Sequence, residues 1–207
     1  MTNMVADMFK DTLGKDDPNF IGLQNPGGTR ASLLDKDITY KQAAQVLPFA
    51  NTLTTTRITG AQFKKVLEQQ WQRAGTARSR HVTYLQLGVS SNVTYTYDES
   101  RKEGERITSV WVNGKPIDPK GTYSVGSGSF LIAGRDNFTE LAKGSKPVDS
   151  GRISLSAWVD WIKAHKTLKP DFAKRAVSLT TSLHEGTSRD TTFTLGKPAD
   201  KAVAPDT

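Results

Sequence analysis

Two capping boxes bracket a run of β-branched residues, and together they constrain this chain more than any other feature. Thr39-Tyr40-Lys41-Gln42 and Thr59-Gly60-Ala61-Gln62 each set a hydroxyl three positions before a glutamine. In that pattern the hydroxyl accepts from the glutamine backbone N–H while the glutamine side chain reaches back to the cap, satisfying two donors that a helix start leaves open. The first box predicts a short helix through Ala43, Ala44 and Leu47, closed by Pro48. The second predicts a longer one, because Phe63, Val66, Leu67 and Trp71 form an apolar stripe at helical spacing. Between them, Thr52 to Ile58 is rich in β-branched residues and reads as a strand. Helix, strand, helix is therefore built into this stretch.

The flanks extend the pattern. Val5, Met8, Phe9 and Leu13 fall near one helical face, with Gly14 as a stop, and Phe20 to Leu23 reads as a buried strand. Tyr84 to Val89, Val93 to Tyr97, Ile107 to Val112 and Thr122 to Val125 read as strands, with Asn113-Gly114 as a tight turn. Gly126-Ser127-Gly128-Ser129 reads as a flexible turn. Leu155, Trp158, Val159 and Ile162 mark a late amphipathic helix, and Ala176 to Leu179 and Thr191 to Leu195 look like closing strands. Helices and strands intersperse without a regular βαβ rhythm, so the expected fold class is α/β (α+β), a mixed sheet with helices packed on it. Residues 1–196 are expected to form one domain. The Lys/Pro/Ala/Asp composition of 197–207 reads as a linker or frayed tail.

Composition narrows the chemistry. There is no cysteine, which removes disulfides, thiolate nucleophiles and cysteine zinc sites. The three histidines, His81, His165 and His184, stand in polar contexts without another ligand at a recognised spacing, so no metal site is expected here. No Gly-x-Ser-x-Gly elbow is present, and no catalytic residue is assigned. The net charge of +7 suggests an anionic partner, but the basic residues are scattered. The densest group, Arg73, Arg78 and Arg80, sits in a polar stretch that reads as a loop, so solvated surface is preferred over a nucleic-acid face. No apolar run approaches the roughly 18 residues that span a bilayer.

Three segments carry more information. Asn25-Pro26-Gly27-Gly28-Thr29-Arg30 follows a strand, bends the backbone so that N–H groups are exposed, and delivers a guanidinium that suits a phosphate or carboxylate; it also reads as an ordinary Gly-Gly turn. Leu47-Pro48-Phe49-Ala50-Asn51 offers a stacking face beside an amide, or simply a core phenylalanine at a helix–strand junction. Phe130 to Phe138 pairs an aromatic with Asp136 on a glycine-containing turn, and equally reads as a capped helix start at Asp136 with Phe138 in the core.

Taken in order, these segments resemble the signatures of the 5'-nucleotidase / UDP-sugar hydrolase family, in its C-terminal, substrate-binding domain. The family's Asn-x-Gly-Gly-x-Arg appears as Asn25 to Arg30, its Ile-Thr-Tyr as Ile38-Thr39-Tyr40, and its Leu-Pro-Phe-x-Asn-x-Leu as Leu47 to Leu53. Its Leu-Thr-Gly, Phe-Leu-Gln and Phe-Leu-x-x-Gly-Gly-Asp-x-Tyr/Phe segments appear as Ile58-Thr59-Gly60, Tyr84-Leu85-Gln86 and Phe130 to Phe138. Asn3 to Asp7 resembles the helix that opens the domain, and the resemblance runs over roughly residues 3 to 195.

The resemblance implies a division of labour. The C-terminal domain grips the substrate, while an N-terminal metallophosphatase domain, outside this chain, carries two divalent metal ions and the attacking water. Arg30 would bind the phosphate, with Asn25 at the same site. Phe49 and Phe130 would sandwich the base, Asn51 would read its edge, Asp136 would accept from the ribose hydroxyls, and Gly88 would offer its backbone near the base. Further phosphate-binding arginines of the family lie upstream of the Asn3 to Asp7 helix. The turn that the family builds as Gly-Gly-Asp-Gly is here Gly134-Arg135-Asp136-Asn137. The implied partners are a nucleotide or nucleotide sugar and the N-terminal domain, with no cofactor on this chain and no nucleic acid. The implied setting is bacterial and outside the cytoplasm: extracellular, periplasmic or cell-wall associated. The rival expectation is a non-enzymatic surface module that keeps the fold without binding a ligand.

Overall fold

The computed structural model describes residues 1–33, 37–72 and 83–179. Both capping boxes form as expected. Thr39 caps α2 (Tyr40–Val46) and Thr59 caps α3 (Gly60–Glu68), each accepting from its glutamine N–H at 3.2–3.3 Å and receiving the glutamine Oε1 on its own N–H at 2.8 Å. Trp71 lies beyond the end of α3 and packs there against Tyr84 and Tyr97. The opening helix is α1 (Thr2–Phe9), continued by a wider π-type turn over Lys10–Gly14.

Two mixed sheets organise the chain. In the larger, β3 (Gly88–Val89), β1 (Ile21–Gln24), β7 (Thr122–Gly128), β2 (Thr52–Thr59) and β8 (Ser145–Ile153) lie side by side in that order. Strand β1 runs parallel to β7, whereas β2 is antiparallel to both β7 and β8. The smaller sheet has the order β6 (Lys115–Pro116), β5 (Ile107–Val112), β4 (Val93–Tyr97), β9 (Ala176–Ser178). Asn113 and Gly114, at φ 51° and 71°, make the left-handed two-residue hairpin turn that their sequence predicts.

One core joins the sheets around Leu23, Phe63, Leu67, Tyr95 and Phe138. A second lies on the other face of the larger sheet, where Val5, Met8, Phe9, Val46, Leu53 and Trp158 bring α1, α2 and α6 (Ser154–His165) together. Gly22 permits this contact: a Cβ there would lie 2.0 Å from the Ala6 carbonyl oxygen of α1.

Several expectations need correction. Between Tyr84 and Val89 only Gly88–Val89 is a strand. Gln70 takes over the intervening backbone, its carbonyl accepting from Leu85 N–H and its Oε1 from Leu87 N–H, both at 2.8 Å. Gly126 to Gly128 is not a flexible turn but the end of β7, and α4 (Ser129–Ile132) starts immediately after it. The glycines are there for room, since a Cβ at Gly126 would meet the Phe20 ring at 2.6 Å. Strand β8 was not expected at all. Asp136 caps no helix: it sits in a short 3-10 turn, and α5 (Thr139–Ala142) begins after the buried Phe138. Thr191 to Leu195, the 197–207 tail, the Arg73, Arg78 and Arg80 cluster, His81 and His184 lie outside the described residues.

Arg175, which nothing in the sequence singled out, ties the C-terminal segment to α1. Its side chain is 5% exposed and donates to both Asp7 carboxylate oxygens (2.7 and 3.0 Å), to Val89 O (2.7 Å) and to Asn3 O (3.4 Å). Asp171, four residues earlier, pairs with the same guanidinium. Burial disfavours the charge on Arg175, but the Asp7 and Asp171 carboxylates outweigh it and hold the guanidinium above its ordinary pKa.

Candidate functional site

Strand direction puts three loops at one end of the larger sheet. Because β1 and β7 are parallel and β2 opposes them, the end of β1, the end of β7 and the start of β2 meet there, Leu53 standing opposite Gly128. Outside the carboxyl ends of strands in an open sheet is where ligands commonly bind. The residues met there are Gln24, Asn25 and Gly28 from the first loop, Leu47, Phe49 and Asn51 from the second, and Gly128 and Phe130 from the third. They line one cleft, with Phe9 of α1 and Ser154 of α6 alongside.

The first loop is a 3-10 turn over Pro26–Gly28, with proline at a position where a missing N–H costs nothing. Gly28 leaves room for two side-chain amides, since a Cβ there would lie 2.5 Å from Gln24 Nε2 and 2.6 Å from Asn25 Oδ1. The second loop is pinned by the start of α6: Ser154 donates its N–H to Asn51 O at 2.8 Å and its hydroxyl to Phe49 O at 3.3 Å. Ser129 Oγ at the start of α4 accepts from Thr52 N–H at 3.3 Å, locking the third loop to the second. On the far side of Thr52, its hydroxyl, followed by the Gly151 N–H, holds the Asp149 carboxyl below the usual carboxylate range.

Phe49, in the loop before β2, and Phe130, in α4, are 49% and 41% exposed, and neither has an aromatic ring partner among the described residues. Both faces are therefore open to a planar guest. The Asp136 carboxylate accepts from Asn25 Nδ2 at 2.8 Å, and both residues are 8% exposed. The turn that presents Asp136 is left-handed over Gly134, Asp136 and Asn137, at φ 76°, 58° and 65°. Asparagine tolerates that conformation better than most side chains, and Asn137 is further held by its Nδ2–H donating to Gln72 Oε1 at 2.7 Å. Asn137 thus holds its left-handed position in this turn without being a glycine.

Of the residues singled out from sequence, Asn25, Phe49, Asn51 and Phe130 line the cleft, and Asp136 joins it through Asn25. Arg30 is exposed at the exit of the first loop, Nη1 reaching Gly27 O at 3.5 Å. Gly88 is placed elsewhere. It pairs with Gln24 across β3 and β1, packs on the Thr2 backbone and lines a separate depression with Met1, Thr2 and Gln86. Gln24 is a cleft residue that the sequence did not reveal, because an amide at the end of a buried strand has no distinguishing pattern, and Ser154 at the start of α6 is another. His165 is remote from the cleft, at the end of α6, its ring tilted at 36° against Trp161 with centroids 4.0 Å apart. Among the described residues no group of three or more His, Asp or Glu side chains could hold a metal ion.

Residues 1–143 match the family described as 5'-nucleotidase, C-terminal domain. The chain belongs to this family. It is similar to an apyrase from Tabanus yao, 31% identical over 158 residues, and to an NAD 5'-nucleotidase from Haemophilus influenzae, 31% identical over 148 residues. These alignments cover 70% and 69% of this chain but only 27% and 24% of the relatives. The fold matches a 5'-nucleotidase precursor from Thermus thermophilus with a TM-score of 0.74 and 29% identity, over 87% of this chain and 35% of that structure. The chain thus spans roughly a quarter to a third of the 5'-nucleotidases it resembles, as their C-terminal domain.

Proposed function

We propose that this 5'-nucleotidase domain is the nucleotide-recognition unit of a larger exported hydrolase, taking nucleotides or nucleotide sugars, while phosphate-ester hydrolysis belongs to an N-terminal domain with two divalent metal ions. The observation that carries the reading is the pair of half-exposed phenylalanines, Phe49 and Phe130, on one cleft with Asn25 and Asn51. Stacking a base on an aromatic face contributes about 1–3 kcal/mol and tolerates any base, since each has a π-face. Asn51 supplies an amide to the base edge. Asp136, oriented by Asn25, supplies a carboxylate that can accept from ribose hydroxyls. Arg30 stands where its fork can exchange one long bond to Gly27 O for a charge-assisted contact to phosphate. No hydrolytic step is assigned to this chain, whose described residues offer no group of metal ligands.

The reading is tested by NMR titration of the chain with AMP and adenosine. Two aromatic faces and one arginine, set against the ordering cost of association, predict dissociation constants of about 0.1–10 mM. Phe130→Ala should weaken both ligands about equally, and Arg30→Ala should weaken AMP much more than adenosine. Unchanged affinities in Phe130→Ala would remove the aromatic clamp and favour a surface module without a ligand.

A further inference from the structure

We infer that Gln24 and Thr29 form a positioning pair that sets Arg30 for a phosphate, and so governs how strongly the cleft prefers a nucleotide to its nucleoside. This rests on the nucleotide reading above and adds to it a device that acts on one group of the ligand.

Gln24 is the last residue of β1 and only 4% exposed. Its Nε2–H donates to Thr29 Oγ1 at 3.2 Å, bridging the whole Pro26–Gly28 turn from strand to exit. The amide is wedged directly beneath that turn, as a Cβ on Gly28 would lie 2.5 Å from Gln24 Nε2. The wedge therefore fixes the height of the turn above the sheet, and the hydrogen bond fixes where the chain leaves it. Thr29 is extended, at φ −105° and ψ 111°, with its N–H on Pro26 O at 3.3 Å. The next residue is Arg30, whose own N–H donates to Val46 O of α2 at 2.9 Å.

The Arg30 backbone is thus held from two sides, by α2 and by the Gln24–Thr29 bond. Its side chain is not: the contact to Gly27 O is at the limit of a hydrogen bond and lies in solvent. A rigid base under a free guanidinium is what a phosphate needs, because a bidentate contact tolerates little angular error. The turn belongs to the same cleft, with Gln24 and Gly28 both lining it. Loosening the base should then cost affinity for the phosphate and leave the stacked base alone.

The experiment measures AMP and adenosine binding to the full chain and to Thr29→Val, Gln24→Leu, Arg30→Ala and Thr29→Val/Arg30→Ala. Thr29→Val is nearly isosteric and partly exposed, so it carries the test even if the buried Gln24→Leu fails to fold. Thr29→Val and Gln24→Leu should each weaken AMP by about five-fold and adenosine by less than about two-fold. Because the effect passes through Arg30, adding Thr29→Val to Arg30→Ala should change AMP affinity no further, the mark of two residues acting as one unit. Equal losses for both ligands, no loss for either, or a further five-fold loss on top of Arg30→Ala would each overturn the inference. Failure of the nucleotide reading looks different: the unsubstituted chain then binds neither ligand, and both fall together.

Discussion

Replacing Arg175 by alanine should strongly destabilise this domain. The guanidinium is 5% exposed and Asp7 is 18% exposed, so their paired hydrogen bonds at 2.7 and 3.0 Å are largely shielded from water. Truncation leaves the Asp7 carboxylate without its main counter-charge and Val89 O without its donor at 2.7 Å. Breaking a buried pair from one side typically costs about 3–5 kcal/mol. That is a large share of the roughly 5–15 kcal/mol that holds such a domain together. Asp171 is the weaker partner, because 42% exposure lets water screen it, and Asp171→Asn should cost under about 1 kcal/mol. Arg175→Lys keeps the charge but loses the fork, and should fall between the two. Urea unfolding at pH 7, followed by tryptophan fluorescence, reads these differences as shifts in midpoint at constant slope. If Arg175→Ala lost less than about 1 kcal/mol, or no more than Asp171→Asn, the buried clasp would not be a main fastening of α1.

Three further outcomes are expected. Asn137→Ala should cost about 1–2 kcal/mol, since alanine is strained at φ 65° and the bond to Gln72 is lost, whereas Asn137→Gly should cost less; thermal melts of both compare them. Stability should fall as pH drops below about 4, because Asp149, held by Thr52 and Gly151, and Asp171, whose burial is outweighed by Ala173 N–H and Arg175, both titrate lower in the folded state than in the unfolded chain. Depressed folded-state values give stability that is present above the unfolded pKa and lost on acidification, so Asp149→Asn should flatten the melting temperature measured between pH 5 and 2. Finally, the purified chain should release no phosphate from AMP with added Mn²⁺ or Co²⁺. Metal-dependent release that copurifies with it would defeat the proposed division of labour.

Local chemistry made much of this legible. The two capping boxes, the Asn113-Gly114 turn and the apolar stripe of α3 are statements about neighbouring residues, and the structure realises them, save that the stripe ends at Leu67 and Trp71 lies past the helix. The loops that line the cleft were readable because their motifs keep both aromatics together with Asn25, Asn51 and Asp136. What failed depends on distant partners. Strand β8 is made of Ser145, Lys146, Pro147, Val148 and Asp149 onward, a poor strand composition, and exists because β2 pairs with it. Gly126 looked like a hinge because no local rule reveals that Phe20 needs the space above it. Gly88 was assigned by motif position, but pairing of β3 with β1 carries it to the Thr2 side. Arg175 passed unnoticed because its better-shielded partner Asp7 lies 168 positions away.

The contact between Asn25 and Asp136 joins residues 111 positions apart. A growing chain that has reached only the second phenylalanine still has no Asp136 with which to complete the cleft. On the proposed reading, ligand recognition would be a property of the finished fold, and a nucleotide would bind the native state and not earlier ones. Free nucleotide at ten times its dissociation constant would then deepen the native well by about 1.4 kcal/mol, through mass action alone. A compartment rich in substrate would thus select for correctly folded copies, and a substrate-poor one would leave the same sequence more exposed to proteolysis.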